Sequence, residues 1–110
     1  MTTPRFDELI HAPTRLSLVA FLAAAEWADF SVLRDNVGLS DSALSKQLTT
    51  LADAGYVEIR KAFVGKRPRT SARLTADGRT AFDQHVLALQ EIVARAGKSM
   101  VPPGRSSEQT

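Results

Sequence analysis

Half of the basic side chains lie in one short segment of the chain. Seven of the fourteen Lys and Arg residues, but only one of the twelve acidic residues, fall between Arg60 and Arg79. The segment therefore carries a net charge of +6, and the other ninety residues together carry −4. Cations at this density form a footprint for a polyanion, typically nucleic acid, although a solvated loop rich in Arg would have the same composition.

A second set of side chains lies on one face of a helix predicted at about residues 41–54. At about 100° per residue, Leu44, Leu48 and Leu51 fall on one side of this helix. The opposite side is small, polar and basic, and it is formed by Ser42, Ser45, Lys46 and Thr49. Such a face can enter a major groove and contact base edges and phosphates, and Ser40, just before the helix, is predicted as a DNA contact together with these four residues. An ordinary amphipathic surface helix would have the same pattern.

Capping and turn signals predict the elements that position these side chains. Helices are expected at about residues 6–10, 14–25, 30–37 and 41–54. Asp29 and Ser40 are candidate N-caps for the third and fourth helices. Gly38 and Gly55 supply the left-handed turns that end the same two helices. The third and fourth helices are thus predicted to form a helix-turn-helix.

A hairpin and a long helix follow. Strand-forming residues at 56–59, a turn signal at 65–68 and a returning strand at 70–74 predict a hairpin with a long basic tip. A last helix is predicted at about 76–96, with Thr75 as its cap. Beside a helix-turn-helix, the hairpin becomes a wing whose cations contact phosphates or a narrow minor groove. The wing is predicted at about residues 60–73, and its DNA contacts are Lys66, Arg67, Arg69 and Arg73.

Two runs resemble a known family. The run L-S-x-x-L-x-x-L-x-x-A-G-Y-V at residues 44–57 and the run L-T-x-x-G-R at 74–79 are similar to winged helix-turn-helix transcriptional regulators. The similarity is strongest to short members of the MarR-like group, looser to the ArsR group, and spans about residues 5–95. It implies a dimeric bacterial or archaeal DNA-binding regulator, usually a repressor. On matching positions it implies that Ser42, Ser45, Lys46 and Thr49 read DNA, that Arg67 and Arg69 are wing contacts, and that Gly78 is a family glycine.

The last helix supplies a candidate dimer interface. Its apolar residues repeat at the a/d spacing of a short coiled-coil seam: Phe82, Val86, Leu89 and Val93. The first helix is expected to join the interface through Phe6, Leu9 and Ile10. A two-fold dimer would place two recognition helices about one DNA turn apart on a near-palindromic site. The alternative is that the last helix only packs on its own core.

Several other chemistries are disfavoured by the sequence. The chain has no Cys, which removes thiol catalysis and Cys-ligated metal sites. Asp83-x-His85 resembles the start of a metal-sensing motif of ArsR-like repressors, but Ala96 and Ser99 occupy the positions where the motif needs further ligands. We therefore expect no metal and no cofactor. His85 is interpreted as a surface or interface histidine. The sequence shows no clear nucleophile–base pair of the kind that would indicate an enzyme. The longest apolar run, Leu18–Ala25, is too short to span a bilayer, and a cytoplasmic location is expected.

The expected fold is therefore mainly α with a small β-hairpin. Residues 1–96 form a winged helix-turn-helix that dimerises through its N- and C-terminal helices, and residues 97–110 form a disordered tail. The expected function is sequence-specific transcription regulation on double-stranded DNA. The alternative is a winged-helix module that binds a protein partner or RNA. A small-molecule effector of unknown identity is a further possibility, in a pocket lined by Leu16, Phe21, Trp27 and the last helix.

Overall fold

The computed structural model describes the backbone of residues 3–100 and the side chains of residues 3–97. The chain is mainly helical, with one small antiparallel sheet of three strands in the order β1-β3-β2. In chain order the elements are α1 (Glu8–His11), α2 (Pro13–Ala24), β1 (Ala28–Asp29), α3 (Phe30–Val37), α4 (Asp41–Asp53), β2 (Val57–Val64), β3 (Arg67–Leu74) and α5 (Ala76–Met100). This architecture confirms the predicted fold class.

The predicted helix-turn-helix is present. Gly38 follows α3 with a φ of 73°, in the left-handed region that glycine adopts without strain. The Ser40 hydroxyl accepts a hydrogen bond from the Ala43 backbone N–H at 3.2 Å and so caps α4. Leu44 and Leu48 of α4 are buried against the core. This packing turns the opposite, polar face of α4 toward solvent.

The hairpin is longer and tighter than predicted. β2 and β3 pair from Val57 opposite Leu74 to Val64 opposite Arg67, which leaves only Gly65 and Lys66 in the turn. The expected long basic tip is therefore wrong. Gly65 has a φ of 66°, and a positive φ is what a two-residue hairpin turn requires, so the strands continue almost to the end of the ribbon.

The structure contains a short strand that the sequence pattern does not predict. Ala28 and Asp29, predicted to lie in a connection, pair with Ala72 and Ser71 of β3. The prediction that Asp29 caps α3 through its side chain is also wrong. Its carboxylate lies 3.2 Å from the Arg69 guanidinium, so the side chain is turned toward the sheet and away from the helix N–H groups.

One hydrophobic core holds these elements together. Leu18, Val19 and Leu22 of α2 lie at its centre, and they pack with Leu33 of α3, the buried leucines of α4, and Val57 and Ala72 of the sheet. The apolar character of α2 on several sides is thus used to contact helices and sheet together. None of the helices within residues 3–100 is long and apolar enough to cross a membrane.

The two terminal helices differ from their predicted bounds. α1 begins at Glu8, because the Asp7 carboxylate caps it by accepting the Ile10 N–H at 3.1 Å. α5 continues to Met100, past the predicted end at residue 96, and Gly97 does not break it. The remainder of the predicted tail, residues 101–110, lies outside the described residues.

Gly78 allows α5 to begin close to the sheet. A Cβ at this position would overlap the Tyr56 carbonyl oxygen and lie 2.9 Å from the Tyr56 carbonyl carbon. The same carbonyl accepts a hydrogen bond from the Thr75 N–H at 3.0 Å. Thr75 caps α5 as predicted, since its hydroxyl accepts the Gly78 N–H at 3.0 Å. The missing side chain therefore gives α5 its close packing against the start of β2.

Candidate nucleic-acid interface

The polar face of α4 is open to solvent as the sequence predicts. The side chains of Ser42, Ser45, Lys46 and Thr49 are all exposed. Ser40 differs from them, because its hydroxyl is engaged as the helix cap, 3.4 Å from the Ser42 hydroxyl. Three hydroxyls and one ammonium group are thus presented along the helix by a backbone that the core fixes.

The one acidic residue at the start of α4 is neutralised from α3. Asp41 accepts a hydrogen bond from the Arg34 guanidinium at 3.0 Å, and Asp35 lies 3.2 Å from the same group. Hydrogen bonds to Asp41 and then Asp35 raise the pKa of Arg34. Because Arg34 holds the Asp41 carboxylate, the repulsion between this acid and an approaching polyanion is reduced.

A cleft of about 440 Å³ separates α4 from the wing. On the helix side it is lined by Ser42, Ser45 and Thr49, and on the sheet side by Lys61 and Thr70. Lys61 was counted in the basic segment but not predicted as a contact. Strand alternation from Val57 and Ile59 would have placed it on the face that meets α4.

The other face of the wing is occupied within the chain. The Arg60 Cζ lies 4.1 Å from the centre of the Trp27 ring, and the Arg73 Cζ lies 4.8 Å from it. Arg73 also donates to the Glu58 carboxylate, with its Nη2 at 2.8 Å. Trp27 is therefore contacted by two guanidinium groups of the sheet.

The predicted wing contacts thus fall into two groups. Arg69 and Arg73 are paired with Asp29 and Glu58, on the face of the sheet turned away from α4. Lys66, in the turn, and Arg67, at the start of β3, are exposed at the tip. Within the described part of the chain, neither of these two tip residues forms a salt bridge with a carboxylate.

The predicted dimer residues are also divided by the structure. Ile10 is fully buried inside its own chain, so a direct role in an interface is wrong for this residue. Leu9 and Phe82 pack against the hydrophobic core, and Val86 and Leu89 are half-buried. In the two terminal segments, the large apolar side chains that are exposed in the single chain are Phe6 (38%), Leu87 (46%), Ile92 (44%) and Val93 (68%).

His85 is buried, which corrects its interpretation as a surface or interface histidine. Its Nδ1 accepts a hydrogen bond from the Asp7 N–H at 2.9 Å, and its Nε2 lies 3.3 Å from the His11 Nδ1. Desolvation, and then the charge of His11, lower the pKa of His85. The Asp7 carboxylate in turn accepts from the Tyr56 hydroxyl at 2.6 Å, and this bond raises the pKa of Tyr56. The local sequence pattern contains no signal for this hydrogen-bond network, because the network joins residues that are 49 or more positions apart.

The expected effector pocket around Trp27 has a different environment. The Trp27 ring is half-buried, and the guanidinium groups of Arg60 and Arg73 lie over it. A cavity of about 290 Å³ lies elsewhere, between the segment before α1 and the first half of α5. It is lined by Arg5, Phe6, Asp7, Tyr56, Asp77, Thr80, Ala81 and Gln84.

Two helices joined at Gly38, followed by a paired β-ribbon beside the second helix, define a winged helix-turn-helix protein. A family model described as a winged helix DNA-binding domain matches residues 14–93. The chain therefore belongs to this family, which is one of DNA-binding domains and not of enzymes. An uncharacterized protein of Methanocaldococcus jannaschii is 26% identical over 85 residues, which cover 77% of this chain and 92% of the relative.

Solved structures show the same fold. A transcriptional regulator homologue from Pyrococcus horikoshii has a TM-score of 0.76 and 23% identity, and the match covers 82% of this chain and 89% of the other. A transcriptional regulator of the MarR family from Enterococcus faecalis has a TM-score of 0.70 and 22% identity, with coverage of 83% and 82%. The fold is thus that of MarR-family transcriptional regulators, as the sequence resemblance implied.

Proposed function

We propose that the chain is a homodimeric transcription regulator that binds a specific double-stranded DNA sequence. The observation that supports this best is the common cleft between the exposed hydroxyl face of α4 and the Lys61 side of the wing. A duplex lying across this surface would meet hydrogen-bonding groups on α4 and cations on the wing. Both are what base edges and phosphates require.

The two elements have different roles in this proposal. α4 enters the major groove, where Ser42, Ser45, Lys46 and Thr49 contact base edges and adjacent phosphates. The wing lies over the neighbouring backbone or minor groove, with Lys61, Lys66 and Arg67 as its cations. Arg69 and Arg73 contribute less, because Asp29 and Glu58 already offset their charges.

The second copy would dock on the C-terminal part of α5. Leu87, Ile92 and Val93 are exposed there, and Phe6 is exposed beside the first half of the helix. Burying these groups between two copies about a two-fold axis is favourable at about 25 cal/mol per Å² of apolar surface. The V93E substitution should weaken dimerisation, whereas A94E, at an exposed position next to it, should have little effect. Sedimentation at several protein concentrations measures the difference.

Repression is the mode of transcription regulation that we propose for such a dimer. A two-fold protein with two α4 helices about one DNA turn apart requires a near-palindromic operator. When that operator overlaps a promoter, the bound dimer excludes the polymerase. Transcription in vitro from a template with the operator should therefore fall as the protein is added, and a template with a scrambled operator should be unaffected.

Selection of bound duplexes from a random pool tests the proposal as a whole. We expect an enriched near-palindrome, and the T49A variant should alter the preferred bases more than it alters the overall affinity. A protein that enriches no sequence and shows no binding at low salt would disprove the proposal. Retention of RNA or of one protein partner in place of duplex DNA would favour the alternative of a winged-helix interaction module.

A further inference from the structure

Two large apolar side chains lie exposed near the tip of the wing. Phe63 is 73% exposed and Val64 is 55% exposed. β1 pairs only with Ala72 and Ser71, so the outer part of the ribbon, residues 61–64 and 67–70, is a two-stranded structure. Packing on the core does not explain a phenylalanine at this place, since a ring that is mostly exposed buries little apolar surface in the single chain.

Phe63 lies on the same face of the ribbon as the proposed DNA contacts. Side chains alternate along a strand, so Phe63 shares a face with Lys61 and Ile59, which line the cleft with α4. Val64 lies on the opposite face, with Arg67 as its cross-strand partner. Phe63 is therefore the apolar residue of the tip that a duplex lying across α4 and this face of the wing would meet.

The charges around Phe63 favour a polyanion as the binding partner of this part of the wing. Lys61 lies on the same face of the ribbon, Lys66 lies in the turn, and Arg67 lies at the tip on the face of Val64; all three are exposed. The outer part of the ribbon, residues 61–70, contains no Asp or Glu. A protein surface that covered an aromatic ring here would have to accommodate three cations as well, whereas a duplex offers phosphates along the groove and apolar base faces between its stacked base pairs.

We infer that Phe63 is an apolar wedge that enters the minor groove beside the α4 site and partly unstacks one base step. This inference rests on the proposed function and assigns a further role within it. Lys61, Lys66 and Arg67 would hold the phosphates that flank the step, while the ring enters between two base pairs. Such wedges bend DNA toward the major groove. The cross-strand partner of Phe63 is Pro68, whose fixed φ reduces the conformational entropy that the tip loses on insertion.

The inference also specifies a property of the DNA. Pyrimidine–purine steps such as TA and CA are the easiest to unstack. The selected operator should therefore contain such a step at the position that the wing reaches, outside the bases that α4 contacts. This preference would arise from deformability, because a phenyl ring donates no hydrogen bond to a base edge.

The experiment measures bending and unstacking with the duplex recovered by selection from a random pool. Energy transfer between dyes at the two ends of a duplex of about 30 base pairs reports the bend, and 2-aminopurine at the flexible step reports loss of stacking. With the unaltered chain we expect a bend of at least about 20° and a rise in 2-aminopurine fluorescence. The F63S variant should lose both signals and bind about tenfold more weakly. F63L should keep part of the bend, because leucine is also an effective wedge.

V64S is the matched control, since it removes a neighbouring exposed apolar group from the other face of the ribbon. It should keep the bend and the fluorescence signal. A selected duplex that the unaltered chain leaves straight, or that F63S bends equally, would overturn the inference while leaving the proposed function intact. Failure to select any duplex would instead overturn the proposed function. A change of oligomeric state in F63S would reassign the residue to contact between copies.

Discussion

The surface formed by α4 and the wing differs from the surface formed by α1 and α5 in how its polar groups are used. At the α1–α5 surface, the Asp7 backbone and carboxylate, the Tyr56 hydroxyl and the buried His85 ring hydrogen-bond to one another. At the α4–wing surface, Lys46 and Lys61 are exposed. One surface satisfies its polar groups internally, and the other leaves cations available to a ligand.

The same contrast exists within the wing at a smaller scale. Its inner face, toward α4, has Lys61 at the cleft, and its outer face has Arg60 and Arg73 held against Trp27. The basic residues of this short segment therefore divide into a group that makes contacts within the domain and a group that is exposed and available to contact DNA. Substitutions should separate stability from DNA affinity according to this division.

The largest effect is expected at Gly78, which lies where α5 meets the strand that leads into the wing. The G78A substitution places a Cβ onto the Tyr56 carbonyl, a backbone group that cannot move without breaking its bond to the Thr75 N–H. We expect the free energy of unfolding to fall by about 3 kcal/mol or more. Urea denaturation measures it.

G97A is the control for this prediction, because a Cβ at Gly97 meets nothing within 4 Å. Alanine favours a helix more than glycine, so this variant should be as stable as the unaltered chain or slightly more so, by up to about 1 kcal/mol. A G78A chain that unfolds at the same urea concentration as G97A would mean that α5 does not need the close approach.

The next effect concerns the cations of the inner face. Replacing Lys46 and Lys61 together by Ala should weaken DNA binding and flatten the dependence of log K on log[salt]. Each phosphate contact contributes about 0.9 to that slope, so in a dimer each substitution should remove about 1.8. Unfolding free energy should change by less than about 0.5 kcal/mol, because both side chains are exposed.

The comparison variant replaces Arg60 and Arg73, also two cations of the wing, by Ala. It should be less stable, because it removes both guanidinium groups from Trp27, and its salt slope should be nearly unchanged. Equal flattening of the slope by both double variants would refute the division of the wing into two faces. Titrations at four or five salt concentrations are sufficient to decide.

A smaller effect on the free energy of unfolding is expected from pH, through His85 at the α1–α5 surface. The pKa of His85 is lowered in the folded chain, by burial and by His11, against opposing contributions from Asp7 and Glu8. The unfolded chain therefore binds a proton more readily, and the stability that neutral His85 provides is lost as pH falls below about 6.5. Between pH 7 and pH 5 we expect a loss on the order of 1 kcal/mol.

H85N is a suitable reference for this pH dependence, since its amide oxygen can accept the Asp7 N–H without titrating. Its stability should change less over the same pH interval in thermal or urea unfolding. A parental chain whose stability is constant from pH 7 to pH 5 would show that His85 is protonated in the fold with little penalty.

How much the sequence predicted depends on whether the signal was local. Gly38, Ser40 and the leucines of α4 act over one or two turns, and these predictions are confirmed. The side chain of Asp29 is used differently than expected, because Arg69 from a distant strand competes with the local cap. The two-residue β1 offers too few residues for an alternation pattern. The role of Arg73 required the pairing of β3 with β2, which places Glu58 beside it, and with β1, which places Trp27 beside it.

The smallest effect is expected for the ion pair of the outer face. Arg73 and Glu58 are each about half exposed, so solvent screens their attraction, and the pair should contribute under about 1 kcal/mol. A double-mutant cycle with R73A and E58Q measures this coupling. R73K retains the charge but not the planar group that stacks on Trp27, so it should keep less than the full stability and shift the Trp27 emission. A coupling of several kcal/mol would indicate that the outer face is desolvated, for example by a second copy docked on Trp27, and would place both faces of the wing in interfaces.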